Sequence, residues 1–78
     1  GLAFDINPLQ NPYIKYNKDG EEFLRIPKAS TYNTSTPGTL HQNHPLVIFL
    51  QNNGFDWGGT WTRESGRIDY QHFEYIAL

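Results

Sequence analysis

A chain of 78 residues with no cysteine has no disulfide to close and no thiolate zinc site to build. Chains this short usually depend on a disulfide, a metal or a partner chain to stay folded. Hydrophobic residues make up only 37% of this one, so its core is thin. Any metal it uses must be held by His, Asp or Glu. The chain also has no methionine, and it opens on Gly1-Leu2-Ala3-Phe4-Asp5-Ile6, an apolar alternation already under way. This reads as one piece of a longer protein, and as a single small domain.

Charge narrows the partners. Six Lys and Arg stand against eight Asp and Glu, for a formal charge of −2. The basic residues are scattered, without the clustered positive face that neutralising phosphates requires, so no nucleic-acid partner is expected. The longest apolar run, residues 46–50, falls far short of the roughly 20 residues of a membrane span, so no membrane span is expected.

The alternation of Leu2, Phe4 and Ile6 predicts a strand with one buried face, from which Asp5 points away. Asn7-Pro8 ends it. Residues 12–43 read as a variable loop region, with a turn at Lys18-Asp19-Gly20 between short extended pieces at 13–16 and 22–26. The run from 30 to 36 has no hydrophobic period, and loops this long are usually functional. A helix follows, with Asn43 or His44 as cap, Pro45 in its first position and Gly54 at its exit. Leu46, Phe49, Leu50 and Asn53 share one face, and Val47 and Ile48 widen the apolar surface, which predicts deep packing. Phe55 to Trp57 predicts a short strand, Gly58-Gly59 a tight turn with Trp61 continuing beyond it, 62–67 a polar loop, and 72–78 a last alternating strand. The expected class is α+β, a small antiparallel sheet with a packed helix.

Four constellations bear on chemistry. Asp69-Tyr70-Gln71-His72 sets an acid three residues before a histidine. The spacing suits a neutral nitrogen ligand with a nearby general base for a metal-activated water, and equally a surface turn with a hydrogen-bonded histidine. Asp5 in its apolar strand is either paired or metal-bound, or faces solvent on the open side of the sheet. His41 and His44 have ligand-like spacing, but Pro45 places both at or before the helix start, which makes them capping residues. Trp57 and Trp61 around Gly58-Gly59 offer either a platform for sugar rings or core.

Together these segments resemble one family. Gly1-Leu2-Ala3-Phe4-Asp5-Ile6-Asn7-Pro8 is similar to the second half of the zinc motif H-x-x-G-x-A-x-D of the D-alanyl-D-alanine carboxypeptidases and their VanY-like and phage endolysin relatives. Gln10-Asn11-Pro12-Tyr13 fits one subgroup. Gly54-Phe55-Asp56-Trp57-Gly58-Gly59-Thr60-Trp61 resembles the family's G-F-x-W-G-G-D-W, with Thr60 in place of Asp. Asp69-Tyr70-Gln71-His72-Phe73-Glu74 matches its D-Y-x-H-F-E.

The resemblance implies part of the hedgehog/DD-peptidase fold and a zinc peptidase acting on peptidoglycan stem peptides, in a periplasmic, cell-wall or phage-lysin setting. Asp5 and His72 would be zinc ligands, and Asp69 the general base that takes a proton from the attacking water. Trp57, Gly58, Gly59 and Trp61 would shape the cleft, with Tyr70 and Glu74 supporting the last strand. The motif's first histidine would lie three positions before Gly1, so the chain is expected to be the C-terminal part of the catalytic domain and inactive alone. A catalytic zinc ordinarily takes three protein ligands, and this chain offers two. The rival reading is a non-catalytic cell-wall-binding or structural relative that uses the aromatic cluster. Zinc content would separate the two.

Overall fold

The computed structural model of the chain describes residues 2–61 and 65–76. Gly1, the stretch 62–64, Ala77 and Leu78 lie outside them, and with them part of the expected polar loop and the end of the last strand. The architecture is α+β, with six strands and one α-helix among the described residues. In chain order these are β1 (Ala3–Asp5), β2 (Tyr13–Tyr16), β3 (Glu22–Ile26), α1 (Pro45–Asn52), β4 (Phe55–Trp57), β5 (Arg67–Asp69) and β6 (His72–Tyr75). No helix among the described residues is long and apolar enough to cross a membrane.

The expected antiparallel sheet is in fact two three-stranded sheets, ordered β1-β6-β4 and β3-β2-β5. The extended pieces at Tyr13–Tyr16 and Glu22–Ile26 pair as a hairpin, so nearly the first half of the loop region is a strand pair with its turn. Strand β5 occupies Arg67–Asp69, of which Arg67 reads as loop in the sequence. At three residues it is too short for an alternation to mark it, and it forms because its backbone adds to the free edge of β2.

The first sheet has two chemically distinct faces because side chains alternate along every strand. Phe4, Phe73 and Trp57 are directly opposed across β1, β6 and β4. Phe73 stacks on Phe4 at 5.6 Å and on Trp57 at 6.4 Å between ring centroids. These rings, with Leu40, Val47 and Leu50, form the core. The other face carries Asp5, His72, Asp56 and Glu74, again in register.

Helix α1 starts as its sequence requires. The His44 Nδ1 accepts the Leu46 N–H at 3.1 Å, and Pro45 follows in the first turn. His41 Nδ1 accepts the Asn43 N–H in the same way at 3.3 Å, so both histidines serve the helix entry. The buried face corrects the expected one. Val47 and Leu50 enter the core, whereas Phe49 is 62% exposed and Asn53 caps the C-terminus. A two-turn helix apolar on several sides leaves its rotation to be set by what it meets. Here the cap and the β4–β6 rings select the Val47–Leu50 side, and the packing is one-sided rather than deep.

Gly58-Gly59 begins a single 3₁₀ turn, Gly58–Thr60, rather than a two-residue reversal, and Trp61 caps it instead of extending a strand.

Asn11 ties the long loop to the strands. It is fully buried, donates to the Ile6, Asn7 and Gly38 carbonyls, and accepts the Leu40 N–H at 2.7 Å. Four hydrogen bonds to backbone give this polar side chain the pairing that burial demands.

Candidate active site

The two sheets meet where the chain passes from β5 to β6 through Tyr70 and Gln71. Tyr70 N–H donates to the Pro12 carbonyl, Ile6 N–H to the Gln71 carbonyl, and the buried Gln71 amide to the Ile26 carbonyl at 3.3 Å. This seam fixes Asp69, the last residue of one sheet, beside His72, the first of the other.

Asp5 and His72 are direct partners across β1 and β6. Asp5 Oδ1 lies 3.1 Å from His72 Nδ1, and Glu74 Oε1 lies 3.5 Å from Nε2, so the imidazole sits between two carboxylates. The orientation of Asp5 away from the rings, legible in the alternation, thus ends on His72.

Asp69 is half-buried, and its Oδ1 has no hydrogen-bond partner among the described residues. Burial is the main reason its carboxyl is pushed up to about 6. The nearby Asp5 pushes the same way, while His72, the Gln71 N–H and Arg67 pull against it. A carboxyl that titrates close to neutrality can accept and return a proton near physiological pH.

The glycines of the 3₁₀ turn allow this approach. A Cβ on Gly58 would land on the Asp69 carbonyl oxygen, and one on Gly59 on the Trp57 indole. Trp57 is 3% exposed and donates its Nε1–H to the Tyr70 carbonyl at 2.8 Å. It backs the site from within the core, and its ring offers no surface to a sugar. Trp61 is half-buried at the site, its ring 5.8 Å from that of His72 and its Nε1–H donated to Asp56 Oδ2 at 3.1 Å. Tyr70 lies at a tilt to Trp57 and stacks on Tyr32 at 3.8 Å.

Three site residues carry no sequence signal of their own. Asp56 stands at a free position of its motif yet orients Trp61. Arg67, with its guanidinium 4.7 Å from the Trp61 ring centroid, reads as loop. Tyr32 lies in a stretch without hydrophobic period, yet its hydroxyl donates to the Leu40 carbonyl at 2.6 Å. Burial pushes that hydroxyl up to about 12, with Tyr70 adding to the effect.

An oxyanion and an imidazole held 3.1 Å apart are donors of the kind zinc takes. Among the described residues no group of three His, Asp or Glu side chains is placed to hold a metal ion, so the fit covers part of a ligand set.

A family model described as D-alanyl-D-alanine carboxypeptidase matches residues 1–75. No curated protein and no solved structure matches the chain.

Proposed function

The chain belongs to the D-alanyl-D-alanine carboxypeptidase family, and from that premise we propose that it carries two ligands of a zinc site and the general base of an enzyme that hydrolyses peptidoglycan stem peptides. Membership implies a peptidase and a peptide substrate. The observation that carries the finer reading is the Asp5–His72 pair at 3.1 Å with a half-buried, raised-pKa carboxyl at Asp69 beside it.

On this reading Asp5 and His72 are two of the three protein ligands that a catalytic zinc ordinarily takes. In the family motif the third is a histidine three positions before the glycine that Gly1 matches. Glu74 on the far side of His72 orients the ring, as outer carboxylates do for ligating histidines. The ion, when bound, supplies Lewis-acid polarisation of the scissile carbonyl and activation of water. Asp69 takes the proton from the attacking water and hands it to the leaving nitrogen, so that the amine departs neutral. Gly58 allows the close approach of the 3₁₀ turn to Asp69, and Trp61 packs beside the His72 ring as part of the cleft wall.

Metal analysis of the natural protein tests this. About one zinc per chain in the wild type, lost in His72→Ala, supports the peptidase. A metal-free protein that still binds muropeptides would instead be a non-catalytic wall-binding relative.

A further inference from the structure

Tyr13 is the middle member of a row that crosses the second sheet, opposed by Asp69 of β5 on one side and Ile26 of β3 on the other. Opposed residues of an antiparallel pair share a face, with Cβ atoms about 5 Å apart. The phenol therefore stands beside the Asp69 carboxyl. Strand β2 is the central strand of its sheet, and the chain enters it through Asn11 and Pro12, both fully buried. The Pro12 carbonyl accepts the Tyr70 N–H at 3.1 Å, which ties this entry to the turn between Asp69 and His72. The backbone that carries Tyr13 is thus held from several sides.

The side chain is not spent on that frame. Tyr32 and Tyr70 stack on each other, and Tyr75 packs edge-on against Phe55. Tyr13, half-buried, has neither a ring partner nor a hydrogen-bond partner for its hydroxyl among the described residues. Its neighbour Ile26 is 50% exposed and leaves the row open to solvent. Tyrosine is longer than aspartate, so the hydroxyl stands above the Asp69 carboxyl and over whatever that carboxyl binds. Asp69 Oδ1 is itself without a partner. Two unpaired polar groups side by side on a rigid strand pair are arranged for a ligand atom that touches both.

Asp69 lies at the join of the two sheets, with the Asp5–His72 pair in one and Tyr13 in the other. The C=O and N–H of a trans peptide bond point in opposite directions. A scissile bond with its carbonyl at the Asp5–His72 pair and its nitrogen at Asp69 therefore turns its N–H toward Tyr13. We propose that the Tyr13 hydroxyl oxygen accepts a hydrogen bond from the scissile N–H and holds the leaving nitrogen with its lone pair toward Asp69. When the water oxygen bonds to the carbonyl carbon, the nitrogen becomes pyramidal and its N–H stays on Tyr13. The lone pair takes the proton held by Asp69 as the C–N bond breaks, and Tyr13 itself neither gains nor loses a proton. The assignment rests on the peptidase reading and adds to it a contact at the reacting nitrogen.

The zinc-loaded natural protein is first given a stem pentapeptide, and mass spectrometry locates the bond it cleaves. Wild type and Tyr13→Phe are then compared on that peptide and on its depsipeptide, in which an ester oxygen replaces the scissile N–H. On the amide the variant should lose about fivefold to tenfold, chiefly in kcat, the worth of one hydrogen bond. On the ester, which has no N–H to hold, it should match wild type, and its thermal midpoint should be unchanged. Amide hydrolysis at the wild-type rate, or an equal loss on amide and ester, would overturn the proposal and leave the peptidase reading intact. A wild type that cleaves no stem peptide would overturn both.

Discussion

Asp5 and His72 are separated by 67 positions in sequence and by 3.1 Å in space, and the link is the β1–β6 register. Shifting that register by one residue would send Asp5 into the rings and Phe4 out to His72, because the side-chain period of a strand is two. The packing of Phe4 on Phe73 therefore also sets the site. The measurable consequence is in the metal. Asp5→Asn keeps the shape and removes the charge, and zinc affinity of the natural protein should fall by more than the roughly 10–100-fold that loss of an outer hydrogen-bond partner costs. Competition with a fluorescent zinc chelator would measure it.

Asp69 makes stability depend on pH in a definite direction. Its carboxyl sits at about 6 in the fold and at about 4 in an unfolded chain. The folded state thus holds the proton more tightly, and stability is lost as pH rises from about 4 through about 6. Because the group is half exposed, solvent screening reduces the effect to about 1 kcal/mol. In the presence of a chelator, Asp69→Asn should be about that much more stable than wild type at pH 7 and equal to it near pH 4. Urea denaturation at the two pH values would show a difference that is absent if burial does not raise this group.

Gly58 tests the closeness of the 3₁₀ turn to β5. An alanine methyl there would meet the Asp69 carbonyl, a backbone atom that cannot rotate away. Gly58→Ala should cost about 1–3 kcal/mol by overpacking and displace Asp69. Gly20→Ala meets no atom within 4 Å and bears only the strain of its φ of +81°. Thermal unfolding of the two variants should separate clash from backbone strain.

Tyr32 anchors the long loop through its stack on Tyr70 and its bond to the Leu40 carbonyl. Tyr32→Phe keeps the ring and should cost about 1 kcal/mol for the hydrogen bond. Tyr32→Ala should cost a further 0.5–1.5 kcal/mol or so for the ring pair, beyond its area term. Chemical denaturation of both variants would measure the increments.

What could be read from the sequence follows from range. The alternation around Phe4 and Phe73, the cap at His44 and Pro45, and the turn at Asp19-Gly20 are local patterns, and the structure keeps each. The rotation of α1 was not legible, because Leu46, Val47, Ile48 and Phe49 are all apolar and only contact with β4 and β6 decides among them. Strand β5 was hidden because its order comes from the edge of β2, more than fifty residues earlier. Tyr32 and Asn11 act through partners that no local period reveals. In the site itself, motif similarity brought Asp5, Asp69 and His72 together before any geometry, whereas the alignment of Tyr13 with Asp69 required the register.

In the proposed reaction Asp69 acts as base while Asp5 and His72 hold the ion. Its most direct test is the rate at which zinc-loaded Asp69→Asn, in the natural protein, hydrolyses a stem peptide. The rate should fall by about 10²–10⁴-fold with about one zinc per chain still bound. A variant that hydrolyses at the wild-type rate would contradict it.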